Sequence, residues 1–245
     1  MKAIFCIIGV CATIITQAQR LVEQRYPATN QEVVLNLKFA DKISVESWNQ
    51  SEILIKASVS INNNQNNDKF VLERSEKDKY IEIRSKINDL DQIAEEKVVI
   101  SQNKNNRRWN YVDWSDDDEH LMIYKGKQLS LTITYEIYLP QNQIAKIKTI
   151  NGDITGSLPA KAFKAETISG AIDLKMEANQ KRDLDIKTLD GDFYTDLTLN
   201  FPENSKEGLP KIKSGYGTKF QTKLNGGGEA IELKTINGNI YLRKK

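Results

Sequence analysis

Cysteine and histidine are nearly absent: this chain of 245 residues carries Cys6, Cys11 and His120 and no others of either kind. Both cysteines lie in an opening stretch where Lys2 is followed by an uncharged run over residues 3–16. That run is shorter than the roughly 20 apolar residues a membrane-spanning helix needs. Thr16, Gln17 and Ala18 then place small residues three and one positions before a cut after Ala18. The pattern is that of a secretory signal peptide, with a mature chain from Gln19. An uncleaved anchor is one competing reading. Lipidation at Cys11 is another, opposed by Val10, which stands where that signal normally has Gly, Ala or Ser. Processing after Ala18 leaves no cysteine, which excludes disulfides, thiol nucleophiles and Cys-ligated metals.

An excess of one charge is also lacking. Lys and Arg number 35 against 33 Asp and Glu, and of these only Lys2 falls in the leader. A nearly neutral chain gives no electrostatic reason to expect nucleic acid. Beyond the leader no apolar run is long enough to span a bilayer, and no convincing helical period occurs. Residues 85–97 are the one stretch that could hold a short helix.

What is present is alternation with a period of two, the mark of half-buried strands. Val33, Leu35, Leu37 and Phe39 share one side; Ile43 and Val45 continue the pattern, as do Ile53, Ile55, Ala57, Val59 and Ile61. The Asn-rich tract over 62–67 reads as an exposed turn, and residues 70–73 and 80–84 as a strand pair. Residues 19–32 read as a polar lead-in. Leu129, Leu131, Ile133, Tyr135, Ile137 and Leu139 resume the alternation after a polar insertion over 86–128, within which residues 98–100 form a short strand. The expected organisation is one domain over 19–245: an N-terminal β region (33–85), the insertion, and a repeat region (129–245).

The repeats are the strongest signal. Residues 147–154 read Ile-Lys-Thr-Ile-Asn-Gly-Asp-Ile, and the pattern returns at 165–172, 186–193 and 233–240, with a degenerate copy at 212–219. Gly152, Gly170, Gly191, Gly217 and Gly238 mark the copies, 18 to 26 residues apart. Tandem units of this length indicate stacking, because a unit that cannot bury its apolar side alone buries it against its neighbours. Ile147, Ala165, Ile186, Ile212 and Leu233 should then form one buried column, with Thr149, Thr167, Thr188, Ser214 and Thr235 in a second. Gly at the corner is expected to accept positive φ, residues 33–84 to cap the N-terminal end or form its first rungs, and the final copy to close the other end. The fold expected is all-β, a parallel β-helix or β-solenoid of strand, Gly corner and strand. Asn-Gly between apolar residues is equally a hairpin signal, so a meander of tandem hairpins stays open.

On these Thr-Ile-Asn-Gly-Asp-Ile units, the stretch 39–45 and the stretch 48–61, the chain resembles the putative-adhesin β-solenoid family. This is an exported bacterial domain of unknown function, and the likeness is to its Bacteroidetes-like members over residues 33–242 without the insertion. The resemblance implies a right-handed parallel β-helix of the cell envelope and supplies no catalytic residues.

Candidate chemistry is sparse. His120 beside an acidic run reads as a solvated loop residue. Asp113, Asp116, Asp117, Asp118 and Glu119 are the densest acidic cluster; calcium is the ion such oxygens would take, but the EF-hand spacing is missing. Asp153, Asp190, Asp192 and Asn239 recur at the corners, either as turn formers or as a ladder facing calcium or a sugar. Trp109, Tyr111 and Trp114 in the insertion form either a contact surface or a small satellite core. The expectation is an exported, non-catalytic binding or structural module, adhesin-like, whose partner is a glycan, an envelope component or a protein. It would sit in the periplasm, at the outer-membrane surface or outside the cell. The alternatives are a carbohydrate-active enzyme on a β-helix scaffold and an envelope-sensing accessory protein of a signalling system.

Overall fold

The computed structural model describes residues 18–101, 122–199 and 217–245. Within them the chain is almost wholly β, relieved only by a 3-10 turn at Asn67–Lys69 and a single-turn helix, Leu90–Ile93, inside the stretch that could hold one. Two large mixed sheets, A and B, face each other across one core.

Each Gly corner divides a repeat between the two sheets. β10 (Ala145–Lys148), β12 (Phe163–Glu166), β14 (Arg182–Asp190) and β17 (Glu229–Asn237) enter the corners from sheet B. β11 (Asp153–Ser157), β13 (Ile172–Met176), β15 (Phe193–Thr195) and β18 (Ile240–Lys244) leave them in sheet A. The strands flanking a corner therefore do not pair with each other, as hairpin arms would. They pair in parallel with their counterparts: Ile147 lies opposite Ala165, Ala165 opposite Leu233, and Leu233 opposite Ile186. In sheet A, Ile154, Ile172, Ile240 and Phe193 follow in the same way. The expected apolar column is formed and buried at each of its described members.

Stacking order is not chain order. The final copy, β17 and β18, lies between the copy at 163–176 and the copy at 182–195, so the expectation that it closes an end is overturned. The cause is the return of the chain through β16 (Thr218–Leu224), which runs antiparallel along the outer side of β14. Asn225, Gly226 and Gly227, at φ 51, 89 and 88, then carry the backbone over the end of β14 into the slot beside β12. Left-handed φ is where Gly and Asn are tolerated best. Residues 218 and 219, read as the end of a degenerate copy, belong to this antiparallel edge strand, and Ile212 and Ser214 lie outside the described residues.

The segment 33–84 does supply first rungs, and it contains a further copy. β2 (Glu32–Asn36) lies parallel to β10 with Leu35 opposite Ile147, and β3 (Lys42–Trp48) parallel to β11 with Ile43 opposite Ile154. Its corner is one residue longer than the others, and Leu37 and Ala40 replace the Thr and Gly that mark a copy. β6 (Tyr80–Ile87) and β9 (Leu131–Pro140) extend the parallel stacks once more, with Ile83 opposite Leu35 and Tyr135 opposite Ile43. Beyond them pairing turns antiparallel: β5 (Phe70–Glu76) on β6, β4 (Glu52–Ile61) on β9, and β1 (Arg20–Pro27) on β4. β1 corrects the reading of 19–32 as a lead-in. Its side chains are all exposed or half-buried, so backbone pairing with β4 rather than burial defines it. β7 (Glu95–Ser101) and β8 (Met122–Gln128) pair as a separate two-stranded sheet within the insertion.

The threonine column works by hydrogen bonding. Thr167 Oγ1 donates to the Gly152 carbonyl at 3.2 Å, Thr235 to Gly170 at 3.1 Å, and Thr188 to Gly238 at 2.9 Å. Each hydroxyl thus ties its own unit to the corner carbonyl of the unit beneath. Thr149 faces the longer first corner, and its buried hydroxyl has no partner among the described residues. The glycines answer to the same close approach. A Cβ at Gly170 would lie 2.3 Å from the Gly152 oxygen, and one at Gly238 would lie 2.1 Å from the Gly170 oxygen. Gly152, Gly170 and Gly238 are not at positive φ; among the repeat corners on parallel strands Gly191, at φ 154, is. At Gly152, Gly170 and Gly238 the glycine is therefore required by the adjacent unit rather than by its own dihedral, a non-local cause, and at Gly191 both act.

Polar side chains fasten the opposite ends. Arg182, 1% exposed, donates to the carbonyls of Pro159 (2.5 Å) and Lys161 (3.1 Å) and to Gln180 Oε1 (3.0 Å), and burial lowers its pKa. Fully buried Gln143 donates to the Gln31 carbonyl at 2.9 Å and accepts from the Thr29 amide at 3.0 Å. The Asn tract is not simply exposed. Asn62 and Asn67 are buried, Asn67 Oδ1 accepts from the Ile61 amide at 2.7 Å, and Asn62 Nδ2 donates to the Ile93 carbonyl at 2.6 Å. Asn62, Asn63 and Asn64 are all left-handed. Short amide side chains both tolerate that conformation and replace missing backbone partners.

Candidate binding surfaces

Trp109, Tyr111 and Trp114, together with His120 and the Asp113 to Glu119 acids, lie outside the described residues. Asp153, Asp190, Asp192 and Asn239 are described, and two of them cap the stack. Asp153 Oδ1 accepts from the Ala171 amide at 2.8 Å, and Asn239 Oδ1 from the Asp192 amide at 2.9 Å, each capping the next unit of the stack. Among the described residues no three His, Cys, Asp or Glu side chains gather as a cation would need.

The outer faces of the two sheets differ in character. On sheet B, Lys146 and Lys148 flank Glu166 at 2.6 and 3.6 Å, Lys164 lies between Glu32 and Glu232 at 3.7 and 3.9 Å, and Lys234 closes on Glu232. The Lys234 ammonium holds the Glu232 carboxyl below its ordinary range, against a smaller opposing effect of burial. Over β10, β12 and β17 this alternating charge on adjacent strands neutralises itself. Each such exposed pair is worth well under 1 kcal/mol.

Sheet A adds aromatic rings and hydroxyls to ion pairs of its own, Arg25 with Glu23 and Glu52 and Arg243 with Asp173. Position three after the corner Gly points outward, and in stack order it is Thr155, Asp173, Tyr241 and Tyr194. The Tyr194 and Tyr241 rings stack with centroids 5.1 Å apart and planes at 13°. The Arg243 guanidinium lies 4.7 Å over Tyr241, held by Asp173 through bonds of 2.8 and 3.1 Å. Donating to Asp173 raises the pKa of that arginine, and the Asp192 charge raises that of the Tyr194 phenol, so both keep their protons at neutral pH. Tyr194 is 47% exposed, and β15 ends sheet A among the described residues. A second aromatic pair lies toward the other end: Trp48 and Tyr138, centroids 5.2 Å apart, with Lys56 over Tyr138 at 5.6 Å. Tyr138 and Tyr241 stand on strands four spacings apart, about 19 Å. The row from Tyr241 runs through Asp173, Thr155 and Ser44 to Glu136, and Tyr138 lies two residues further along, opposite Glu46. Flat rings with neighbouring hydroxyl and carboxylate groups are suited to the apolar faces and hydroxyl edges of sugars.

Sequence reasoning did not single out this pair. The available signal was the aromatic at the third place after Gly in two copies, Gly-Asp-Phe-Tyr ending at 194 and Gly-Asn-Ile-Tyr ending at 241, where the other two have Thr155 and Asp173.

No family model and no curated protein matches the sequence. In structure the chain is similar to a putative cell adhesion protein from Clostridium sporogenes, at 14% identity and a TM-score of 0.49, over 93% of this chain and 100% of that one. It is also similar to a putative adhesin from Bacteroides fragilis, at 8% identity and a TM-score of 0.21, over 94% of this chain and 99% of that one. The functional reading rests on the geometry above.

Proposed function

We propose that this chain is an exported, non-catalytic binding module of the cell envelope, adhesin-like, in which a β-solenoid presents the outer face of sheet A to a glycan. The leader pattern supports export, and the parallel registers of the corner copies support the solenoid, with one copy inserted out of chain order. The observation that carries the glycan reading is the stacked Tyr194–Tyr241 pair, backed by Arg243 and Asp173, at the end of sheet A. Sugar recognition needs a flat apolar platform with fixed polar groups beside it. Here the exposed Tyr194 ring, stacked on Tyr241, supplies that platform. A carbohydrate-active enzyme would instead need carboxylates converging in one groove, whereas Asp153 is engaged in capping Ala171.

The test is an array of envelope polysaccharides probed with the exported chain, scored in parallel for release of reducing ends. Saturable binding without cleavage supports the proposal. Cleavage overturns its non-catalytic part, and binding that survives Tyr194→Ala/Tyr241→Ala overturns the assignment of the face.

A further inference from the structure

A second surface runs along the corners. The repeat places an aliphatic residue just after the buried threonine, and these residues are exposed: Ile150 37%, Ile168 44%, Ile236 42% and Leu189 51%. Their backbones are joined directly, the Ile168 amide donating to the Ile150 carbonyl at 3.1 Å and the Asn237 amide to the Ile168 carbonyl at 2.7 Å. The four side chains therefore form one straight ridge over three strand spacings, about 14 Å. Scattered exposed aliphatics need no explanation, but a periodic row produced by a repeat is a surface feature.

Beside the ridge, two residues earlier in each copy, runs a basic column on the outer side of sheet B. In register it reads Lys148, Glu166, Lys234, Lys187 and Lys219. Glu166 is neutralised by Lys146 and Lys148, and Lys234 is paired with Glu232. Lys187 and Lys219 are exposed and carry no ion pair among the described residues. On the sheet A flank Asp190 and Asp192 have the opposite sign, so the ridge would meet a partner tilted toward sheet B.

We infer that this ridge with its lysine column is a contact for an anionic lipid surface, distinct from the glycan-binding face. A row of aliphatic side chains that can enter the headgroup boundary, next to cations that remain in water, is the arrangement interfacial binding uses. Lysines near an anionic leaflet add to it electrostatically. A second copy of the chain fits less well. The four side chains offer on the order of 200–300 Å² of apolar surface, against about 800 Å² per partner in a stable dimer.

The experiment is co-sedimentation of the exported chain, its N-terminus fixed by mass, with phosphatidylcholine vesicles with and without phosphatidylglycerol. Binding only to the phosphatidylglycerol vesicles is expected. Ile168→Ser/Ile236→Ser should weaken it on the order of tenfold and, separately, Lys187→Glu/Lys219→Glu by roughly thirtyfold or more, at unchanged unfolding midpoints. The lysine variant alters only exposed side chains and keeps the test open if the ridge variant folds poorly. Absence of binding to either vesicle, equal binding to both, or binding that neither variant weakens overturns the inference. So does a concentration-dependent dimer that the ridge variant abolishes, which would assign the ridge to a second copy.

Discussion

Gly170→Ala separates two accounts of the repeat corner by the sign of its effect. Gly170 is not at positive φ, so a purely conformational role predicts that alanine is tolerated or stabilises by about 0.4–1 kcal/mol through the unfolded chain. The close-approach account predicts the opposite. The new Cβ would sit 2.3 Å from the Gly152 oxygen and 3.0 Å from Thr167 Oγ1. Ordinary contact requires the two units to part by about 1 Å. Overpacking of a rigid interior costs about 1–3 kcal/mol. Parting also strains the buried hydroxyl bond from Thr167 to Gly152, at roughly 1 kcal/mol. The expected destabilisation is about 2–4 kcal/mol, measured as the shift in urea midpoint by circular dichroism at constant m. Gly226→Ala is the control: nothing lies within 4 Å of its Cβ, so its cost is the left-handed φ alone, about 1–2 kcal/mol. A Gly170→Ala protein as stable as the parent would refute the close-approach account.

Two further outcomes follow from buried polar groups. Arg182→Met should destabilise by roughly 3 kcal/mol or more, because the carbonyls of Pro159 and Lys161 and the Gln180 amide lose their donor, with Arg182→Lys recovering little since an ammonium lacks the planar fork; urea midpoints check both. Burial pushes the Tyr135 phenol well above its ordinary value. Because the folded pKa is raised, that stability is complete below the unfolded value near 10 and is lost as pH rises above it. At pH 11 the parent should have lost about 1.4 kcal/mol that Tyr135→Phe retains; identical alkaline profiles would contradict the assignment.

The repeat residues made much of the architecture legible, because the same physics acts on every copy. Apolar residues at the place of Ile147 must stack, and Thr at the place of Thr149 must face inward beside them. What was hidden depends on neighbours remote in sequence. The copy containing Leu35 and Ile43 has an extra corner residue and lacks both Thr and Gly, so no local pattern marks it. The slot taken by β17 follows from β16 and the turn at Asn225, whereas the copies themselves are apolar equivalents that would fit several slots. The glycines carry the right residue for a different reason, since the atom they avoid belongs to the adjacent unit. Asn62 and Asn67 are buried because their amides replace backbone partners, which composition alone reads as exposure. At the candidate site, Tyr194 and Tyr241 are far apart in the chain and become a stack only through the register of β15 on β18. Trp109, Tyr111 and Trp114 remain a proposed contact surface in the insertion.

The most direct test of the central claim is retention of the exported chain on polysaccharide isolated from its own host's envelope, compared with Tyr194→Ala. Tyr194 is an exposed side chain, so the variant should unfold at the parent's urea midpoint. Loss of a stacking platform worth about 1–2 kcal/mol should weaken retention on the order of tenfold. Equal retention of both proteins at matched stability would contradict the assignment of the sheet A face as the glycan-binding surface.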